Sequence, residues 1–267
     1  MTDSILEQAL AKRFGDIPTC PADLATNEAL SRLAARGSCR SFTPQQPTLD
    51  TIRTLCAAAL AAPSKSDLQQ RDILIVDDPA RTQALKDLLC AQTWIAGAPR
   101  LLLFLANNRR QRLVQTLHDQ PFPNDHLDAF FNASVDAGIA LAFFIAAAEA
   151  AGLACCPIST IRNHLAEVSE MFALPDHVFP VAALAVGTSA HDAPRISPRL
   201  SLDSTVSVDV FRDTTPEDIR AYDGRRQAQS VPGADNPDWS RAKAKMYAEP
   251  QRQDFADFVR SIGFRLD

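Results

Sequence analysis

The spacing of the glycines is the feature that most restricts the folds open to this 267-residue chain. The chain has nine glycines, and no two of them lie closer than nine residues apart. The common phosphate-binding and nucleophile motifs G-x-G-x-x-G, G-x-x-x-x-G-K-[ST] and G-x-S-x-G all need two glycines within about five residues of each other. The sequence therefore excludes a standard dinucleotide fingerprint, a P-loop and a nucleophile elbow.

Composition and charge narrow the class of partner. The chain is 46% hydrophobic and 22% charged, and it is long enough to bury a core. Its formal net charge of −5 at pH 7 gives no overall positive field that would attract nucleic acid or anionic lipid. We therefore expect no nucleic-acid or membrane partner, although the net charge does not exclude a local basic patch.

The cysteines and the N-terminus indicate a reducing compartment. The six cysteines form no C-x-x-C and the chain has no H-E-x-x-H, so we expect free thiols and no metal site. The first twenty residues carry Asp3 and Glu7 and lack the apolar core of a signal peptide. These features predict a cytoplasmic protein.

Apolar periodicity predicts helices that alternate with short strands, as in one α/β or α+β domain. Thr48 and Pro63 mark the start and stop of one helix, and Gly152 ends the longest one. Helices are predicted over residues 4–14, 27–35, 49–62, 79–90 and 127–151, around 165–172 and after 216. Strands are predicted over residues 72–76, 100–106, 178–186 and 205–211, and residues 153–158 form a further short segment after the long helix.

Two further segments carry weaker signals. Residues 107–125 are polar, and we expect a mobile loop or an irregular helix there. The apolar run from Ala137 to Ala148 is only 12 residues long, whereas a membrane span needs about 20. We expect a helix that is buried on nearly all sides, flanked by Phe130, Phe131, Phe143 and Phe144 as core or dimer-interface residues.

Two arginine clusters are candidates for an anion site. One is Arg36-Gly-Ser-Cys-Arg-Ser41 and the other is Ser197-Pro-Arg-Leu200. Planar guanidinium groups bind phosphate oxygens through two hydrogen bonds, and neighbouring hydroxyl and amide groups can complete the site. Each cluster taken alone is also compatible with ordinary surface ion pairs.

The order of these motifs resembles the FMN-dependent nitroreductase family. Residues 36–42 resemble an R-S-x-R-x-F turn, and Ala62-Pro-Ser-Lys-Ser-Asp-Leu-Gln69 resembles A-P-S-x-x-N-x-Q. In the second half, residues 148–153, 158–163, 174–180 and 198–200 are similar to the major oxygen-insensitive NADPH nitroreductases and the NADPH:FMN oxidoreductases of luminous bacteria. The resemblance covers about residues 27–264, so residues 1–26 are expected to form an N-terminal extension and residues 27–267 a nitroreductase-like FMN-binding domain.

The resemblance implies an α+β fold with three α-β-α layers and a central, mostly antiparallel sheet. It also implies an interlocked homodimer with two FMN sites at the interface, in which the 137–148 helix would form the dimer core. The implied activity is that of an oxidoreductase: two-electron, ping-pong reduction of nitroaromatics, quinones or free flavin by NADPH or NADH. No side chain is expected to be catalytic, because the flavin N5 carries the hydride.

Cofactor contacts follow from the resemblance position by position. The 36–40 turn matches the segment that holds the ribityl phosphate and the pyrimidine edge, and Arg199 matches a phosphate ligand. Ser64 matches a flavin-contacting serine, and Gln92 matches a glutamine at the isoalloxazine ring. Residues 157–160 match the segment whose backbone amides face the flavin near N5 and O4. The predicted cofactor-binding residues are Arg36, Gly37, Ser38, Cys39, Arg40, Ser64, Gln92, Pro157, Ile158, Ser159, Thr160 and Arg199.

The chain departs from the family pattern in four places. Ser197 stands where the branch usually has a basic residue, and Ser159 and Thr160 stand where it has glycines; Thr160 could instead be the N-cap of the next helix. Lys65 and Asp67 place charges where the family often has small, aromatic or amide groups. Arg225 and Arg226 only loosely match the arginines that bind the nicotinamide nucleotide. The predicted substrate-binding residues are Lys65, Ser66, Asp67, Arg225 and Arg226.

Two other functions stay open on the sequence. The charges at Lys65 and Asp67 and the altered residues Ser159 and Thr160 would favour a pathway-specific flavoenzyme that acts on one nitro or other conjugated compound. A non-catalytic flavin-binding protein is the alternative outside enzymes.

Overall fold

The computed structural model describes residues 4–15, 17, 19–230 and 238–267. In chain order the helices are α1 (Ile5–Phe14), α2 (Ala22–Ala25), α3 (Glu28–Ala35), α4 (Leu49–Leu60), α5 (Pro79–Leu88), α6 (Arg109–Leu117), α7 (Leu127–Ala150), α8 (Leu165–Met171), α9 (Pro216–Ala228), α10 (Trp239–Met246) and α11 (Phe255–Ser261). The strands are β1 (Arg71–Val76), β2 (Arg100–Asn107), β3 (Ala154–Ile158) and β4 (Val178–Gly187). Short 3₁₀ helices lie at Lys65–Asp67, Thr93–Gly97, Ser159–Asn163 and Leu202–Ser204.

The chain forms two compact units. The smaller unit contains residues 1–37 and 193–251, and the larger one contains residues 38–192 and 252–267. The larger unit is built on a sheet with the strand order β1-β2-β4-β3, in which each neighbouring pair is antiparallel.

The larger unit has three layers because the central strands are apolar on both faces. Leu101, Leu103 and Leu105 of β2 pack in a cluster with Leu85 of α5 and Val168 of α8. The alternate residues of β2 point to the other face, where they pack against α4 and α7. Helices thus cover both faces of the sheet, which confirms the predicted α-β-α arrangement around a mostly antiparallel sheet.

Local capping signals place most helix ends where the sequence predicts them. The Thr48 side chain accepts a hydrogen bond from the backbone N–H of Thr51, which starts α4. Ser4 and Glu7 form a reciprocal capping box at the start of α1. Gly152 follows α7 with a φ of +80°, a conformation that side chains with a Cβ rarely adopt.

The smaller unit has its own core, formed where α1 packs on α3. Leu6 and Ala9 of α1 contact Ala34 of α3, and all three are buried. In the second part of this unit, the Tyr222 ring of α9 contacts the Trp239 ring of α10 edge to face, at a centroid distance of 5.1 Å.

Three predictions of local structure were wrong. Residues 205–211 do not form a strand but a series of bends, in which Val208 is 80% exposed and Phe211 is 82% exposed. Alternating apolar residues form a strand only beside a neighbour that can satisfy their backbone groups. Residues 109–117 form the regular helix α6 instead of a mobile loop or an irregular helix. Thr160 lies inside a 3₁₀ helix and is not an N-cap.

The prediction that the apolar helix is buried on nearly all sides was also wrong. One side of α7 packs on the sheet through Ala140 and Phe144, but Phe131 is 59% exposed and Phe143 is 46% exposed. By length and composition alone the 24-residue α7 is also apolar enough to cross a membrane, a test that the core helices of soluble proteins pass as well.

Candidate functional site

A cleft in the smaller unit brings two of the predicted phosphate-binding arginines together. The cleft has a volume of about 640 Å³, and both Arg36 and Arg199 line it. The remaining wall is largely apolar and aromatic, and it includes Phe14, Tyr222 and Trp239. A cleft with cationic groups on an apolar, aromatic wall suits a ligand that combines an anionic group with a flat or apolar body.

The spacing of these two segments is fixed by Arg13, a residue that sequence reasoning missed. Arg13 is 7% exposed, and its guanidinium donates hydrogen bonds to the carbonyl oxygens of Ala34 (3.0 and 2.9 Å), Arg36 (2.5 Å) and Ser197 (3.2 Å). The Arg13 carbonyl in turn accepts from the backbone N–H of Arg199 at 2.6 Å. One side chain therefore holds both arginine segments, and nothing in its local sequence indicates this role.

The Arg199 side chain is available to an anion. It is exposed, and among the described residues no carboxylate lies within 4.0 Å of its guanidinium. One of its N–H groups donates to the Pro198 carbonyl at 3.1 Å. The other donors of the guanidinium fork can bind a phosphate in the cleft.

Gly37 lies where two parts of the smaller unit approach closely. A Cβ at this position would collide with the backbone carbonyl of Arg195. Glycine at 37 thus lets the chain after Arg36 pass against the segment that leads to Arg199.

Arg225 and Arg226 lie on α9, where both make hydrogen bonds within the smaller unit. Arg225 donates to the carbonyl oxygens of Phe14 and Arg199, the latter at 2.8 Å. Arg226 donates to the Tyr222 hydroxyl at 3.2 Å. Contact of either arginine with a nicotinamide nucleotide stays a prediction. Arg225 binds two backbone carbonyl oxygens, whereas Arg226 binds one side-chain hydroxyl.

In the larger unit, the 38–40 turn lies beside β3 and near the predicted residue Gln92. The backbone N–H of Cys39 donates to the Cys155 carbonyl at 2.9 Å, so the turn runs beside β3. The Arg40 guanidinium lies 6.0 Å from the centre of the Trp94 ring, and the Trp94 indole N–H donates to the Gln92 side chain at 3.0 Å. Turn 38–40 therefore lies beside the first residues of β3 and near Trp94, the partner of Gln92.

The 157–160 segment spans the end of β3 and the start of a 3₁₀ helix. Pro157 and Ser159 are exposed, whereas Ile158 is 2% exposed and anchors the segment in the core. The hydroxyl oxygen of Thr160 is buried, with no hydrogen-bond partner among the described residues. Since the first N–H groups of a helix have no partner within it, this segment can offer backbone donors to a ligand.

The loop formed by residues 64–70 (the 64–70 loop) lies at the opposite corner of the sheet from turn 38–40. It precedes Arg71, which pairs with Ala106 at one end of the sheet, whereas Cys155 pairs with Val186 at the other end. β1 and β3 are three strand spacings apart, about 14 Å, and the two ends are separated by about 23 Å along the strands. The described part of the chain therefore does not bring Ser64 and Lys65–Asp67 together with turn 38–40 of the same chain.

A buried ion pair below this loop was not predicted from the sequence. Asp136 of α7 is 1% exposed, and its carboxylate accepts hydrogen bonds from the backbone N–H groups of Lys65 and Gln70, both at 3.0 Å. Arg71, 5% exposed, places a guanidinium nitrogen 3.9 Å from the same carboxylate. Its position inside the apolar stretch of α7 is the one signal that could have drawn attention to Asp136.

Comparison with known proteins gives one consistent result. Residues 33–188 match the sequence model of the Nitroreductase family, and residues 197–267 match the model of the Nitroreductase family, C-terminal domain. The FMN reductase (NAD(P)H) of Bacillus subtilis (strain 168) is 30% identical over 248 residues, which is 90% of this chain and 99% of that protein.

Solved structures agree in fold. The structure of B. megaterium NfrA2 superposes with a TM-score of 0.85 at 29% identity and covers 91% of this chain and 100% of that chain. The NADPH:FMN oxidoreductase from Vibrio harveyi complexed with NAD+ gives a TM-score of 0.79 at 26% identity, over 89% of this chain and 98% of that chain.

Proposed function

The chain belongs to the nitroreductase family, and on that premise we propose that it is an FMN-dependent oxidoreductase that uses NADPH or NADH to reduce nitroaromatics, quinones or free flavin. Similar proteins carry the names FMN reductase (NAD(P)H) and NADPH:FMN oxidoreductase. The observation that carries the proposal for this chain is the cleft in which Arg36 and Arg199 lie together, held by Arg13.

The residues present fit FMN. A dianionic phosphate suits Arg36 and Arg199, whose cleft also has an aromatic wall. In the larger unit, Ser38, Arg40 and Gln92 supply donors for the polar edge of a flavin ring, and the segment from Pro157 to Thr160 supplies backbone N–H groups. The proposed domain comprises residues 27–267, with residues 1–26 as an N-terminal extension that contributes Arg13.

FMN, when bound, supplies a carrier that takes up a hydride and passes two electrons to an acceptor. The task of the chain is then to bind and orient. Cationic and amide donors beside the polar ring edge stabilise negative charge there, and the cleft fixes the phosphate. Donor and acceptor would bind at the same place in turn, which would give ping-pong kinetics.

The two departures in the 157–160 segment differ in their consequences. The Thr160 hydroxyl is buried, so this side chain points into the protein and leaves the proposed flavin face open. Ser159 is exposed and is the side chain that would border the acceptor.

The departure at Ser197 lies in another segment. There the Ser197 carbonyl accepts a hydrogen bond from the Arg13 guanidinium at 3.2 Å.

The proposal includes a homodimer in which each site takes residues from two chains. The 64–70 loop lies at the opposite corner of the sheet from turn 38–40 of its own chain, and α7 exposes an apolar stripe through Leu127, Phe131, Val135 and Phe143. A second chain packed on this stripe would bury it and could bring its own 64–70 loop to the site.

Sedimentation tests the dimer. We expect the wild-type protein to sediment with twice the mass of one chain, and Phe131→Glu to shift the mass towards a single chain, because a carboxylate would be buried at the interface. Ile5→Glu is the matched control, since Ile5 is 71% exposed on α1. A wild-type protein of single-chain mass at micromolar concentration would contradict the dimer.

Flavin binding and anaerobic reduction test the proposed function. We expect the purified protein to bind FMN and to lose its yellow colour with NADPH or NADH, then to regain it with a nitroaromatic, quinone or free flavin. Arg199→Ala should weaken FMN binding about thirtyfold, because it removes charge-assisted hydrogen bonds to the phosphate. Arg220→Ala is the control, since Arg220 is exposed on α9 and pairs with Glu217.

Each contrary outcome identifies another function. A protein that fails to bind FMN is not a flavoenzyme of this kind. A yellow protein that neither nucleotide reduces is a flavin-binding protein without the activity. Turnover of one compound among a panel of unrelated acceptors would identify the pathway-specific enzyme, which the exposed charges of Lys65 and Asp67 favour.

A further inference from the structure

The 64–70 loop has a backbone that its own sequence does not favour. Ser66, Asp67 and Gln69 have φ values of 50°, 55° and 51°, the left-handed region that residues with a Cβ rarely adopt. Three such residues within four positions persist only when surrounding groups hold them. The source of that constraint therefore determines where the loop places its side chains.

Asp136 supplies the constraint from below. One oxygen of its carboxylate accepts from the N–H of Lys65 and the other accepts from the N–H of Gln70, at 3.0 Å each. These residues are the two ends of the strained segment. A single buried carboxylate thus closes the loop, and charge-assisted hydrogen bonds of this kind are stronger than neutral ones.

Two arginines complete the support. Arg71 donates to the carbonyl oxygens of Leu60 at 3.0 Å and Ala62 at 2.7 Å, and its charge compensates the Asp136 carboxylate. Arg110 of α6 donates to the Gln69 carbonyl at 2.6 Å from the exposed side. Asp136 and Arg110 therefore bind the loop directly, and Arg71 holds the residues before it and compensates the Asp136 charge.

The tip of the loop is left accessible. Lys65, Ser66 and Asp67 are exposed, the Lys65 ammonium lies 3.0 Å from the Ser66 hydroxyl, and the Gln69 amide donates to Asp67 at 3.3 Å. On its held backbone the loop therefore presents an exposed ammonium group that can pair with an anionic group on a substrate.

We propose that Asp136 is a positioning residue that holds the 64–70 loop so that Lys65 selects electron acceptors with an anionic group, such as a carboxylate on a nitroaromatic ring. This inference rests on the proposed function, and it adds the substrate class. Asp136 acts through the backbone of the loop and does not touch the acceptor.

Hydrogen exchange and acceptor kinetics test the inference together. In Asp136→Asn we expect faster amide exchange in the peptide that covers residues 64–70, with β2 unchanged, because an amide cannot accept at both of its polar atoms. The KM for 4-nitrobenzoate should rise about tenfold while that for nitrobenzene stays within about twofold, since the displaced ammonium no longer meets the carboxylate. The kcat values should change less than the KM for nitrobenzoate.

Three further variants separate the effect on the loop backbone from the effect on acceptor binding. Lys65→Gln should raise the KM for nitrobenzoate without a change in exchange, because its side chain does not hold the backbone. Arg110→Gln should loosen the loop in the same direction as Asp136→Asn but by less, and Arg110 is 43% exposed, so this variant tests the inference even if Asp136→Asn fails to fold. Asp128→Asn is the control on α7, because Asp128 is exposed and contacts Asn132.

The outcomes are distinct. Unchanged exchange in the loop of both Asp136→Asn and Arg110→Gln would overturn the positioning role. A loosened loop with an unchanged ratio of the two KM values would overturn the selectivity. A wild-type protein that oxidises neither NADPH nor NADH with any acceptor refutes the proposed function instead, while the exchange data still report whether Asp136 holds the loop.

Discussion

Arg13 and Arg71 are both buried arginines that bind main-chain carbonyl oxygens, one in each unit of the molecule. Arg13 holds Arg36 and Ser197, the segments that carry the proposed phosphate ligands. Arg71 holds the end of α4 and also faces the Asp136 carboxylate. The first arginine fixes the distance between the two segments that carry the proposed ligands, whereas the second compensates a buried charge that shapes a loop. Similar residues therefore support the two units by different means.

Replacement of each arginine by methionine should separate the two roles most strongly. Arg71→Met leaves Asp136 buried without its compensating charge, and we expect a loss of about 3–5 kcal/mol in the free energy of unfolding. Arg13→Met removes hydrogen bonds from a charged donor to neutral carbonyl groups, and we expect about 1.5–3 kcal/mol. Urea unfolding measures both values.

Arg53→Met is the control for this pair, because Arg53 is exposed on α4. Its effect should stay within about 0.5 kcal/mol. Equal losses for Arg13→Met and Arg71→Met would remove the distinction between the two arginines.

A smaller effect should appear in the reactivity of Cys56 on α4. Burial raises the pKa of the Cys56 thiol to about 11, so at pH 8 it is protonated and reacts slowly with alkylating reagents. Arg71→Met should speed its alkylation about tenfold through local opening, because Arg71 binds the Leu60 carbonyl at the end of the same helix. Arg13→Met should leave the rate nearly unchanged.

The exposed Cys90 serves as the internal reference for this measurement. It should react rapidly and at one rate in all three proteins, as followed by mass spectrometry of the labelled peptides. Slow alkylation of Cys56 in Arg71→Met would mean that α4 does not depend on this arginine.

The sequence predicts the features that depend on neighbours along the chain. The Thr48 cap, the glycine after α7 and the apolar strands β2 and β4 are of this kind, and the structure confirms them. The resemblance also identified Arg36 and Arg199, which the structure places in one cleft.

The features that the sequence did not predict depend on distant contacts. Arg13 lies 184 residues before Ser197, and Lys65 lies 71 residues before Asp136, so no local pattern signals either contact. Residues 205–211 alternate like a strand but lack a neighbour in the described part of the sheet. The sequence predicts that the exposed side of α7 is buried, because the same apolar residues occur on a helix face whether its own chain or a second chain covers that face.

The position of the 64–70 loop at the far corner from turn 38–40 has a genetic consequence. In the proposed dimer, each site combines the turn of one chain with the loop of the other. Two mutant alleles, one defective in the turn and the other in the loop, would then complement each other when expressed together. Each mixed dimer would contain one site with both defects and one site with neither.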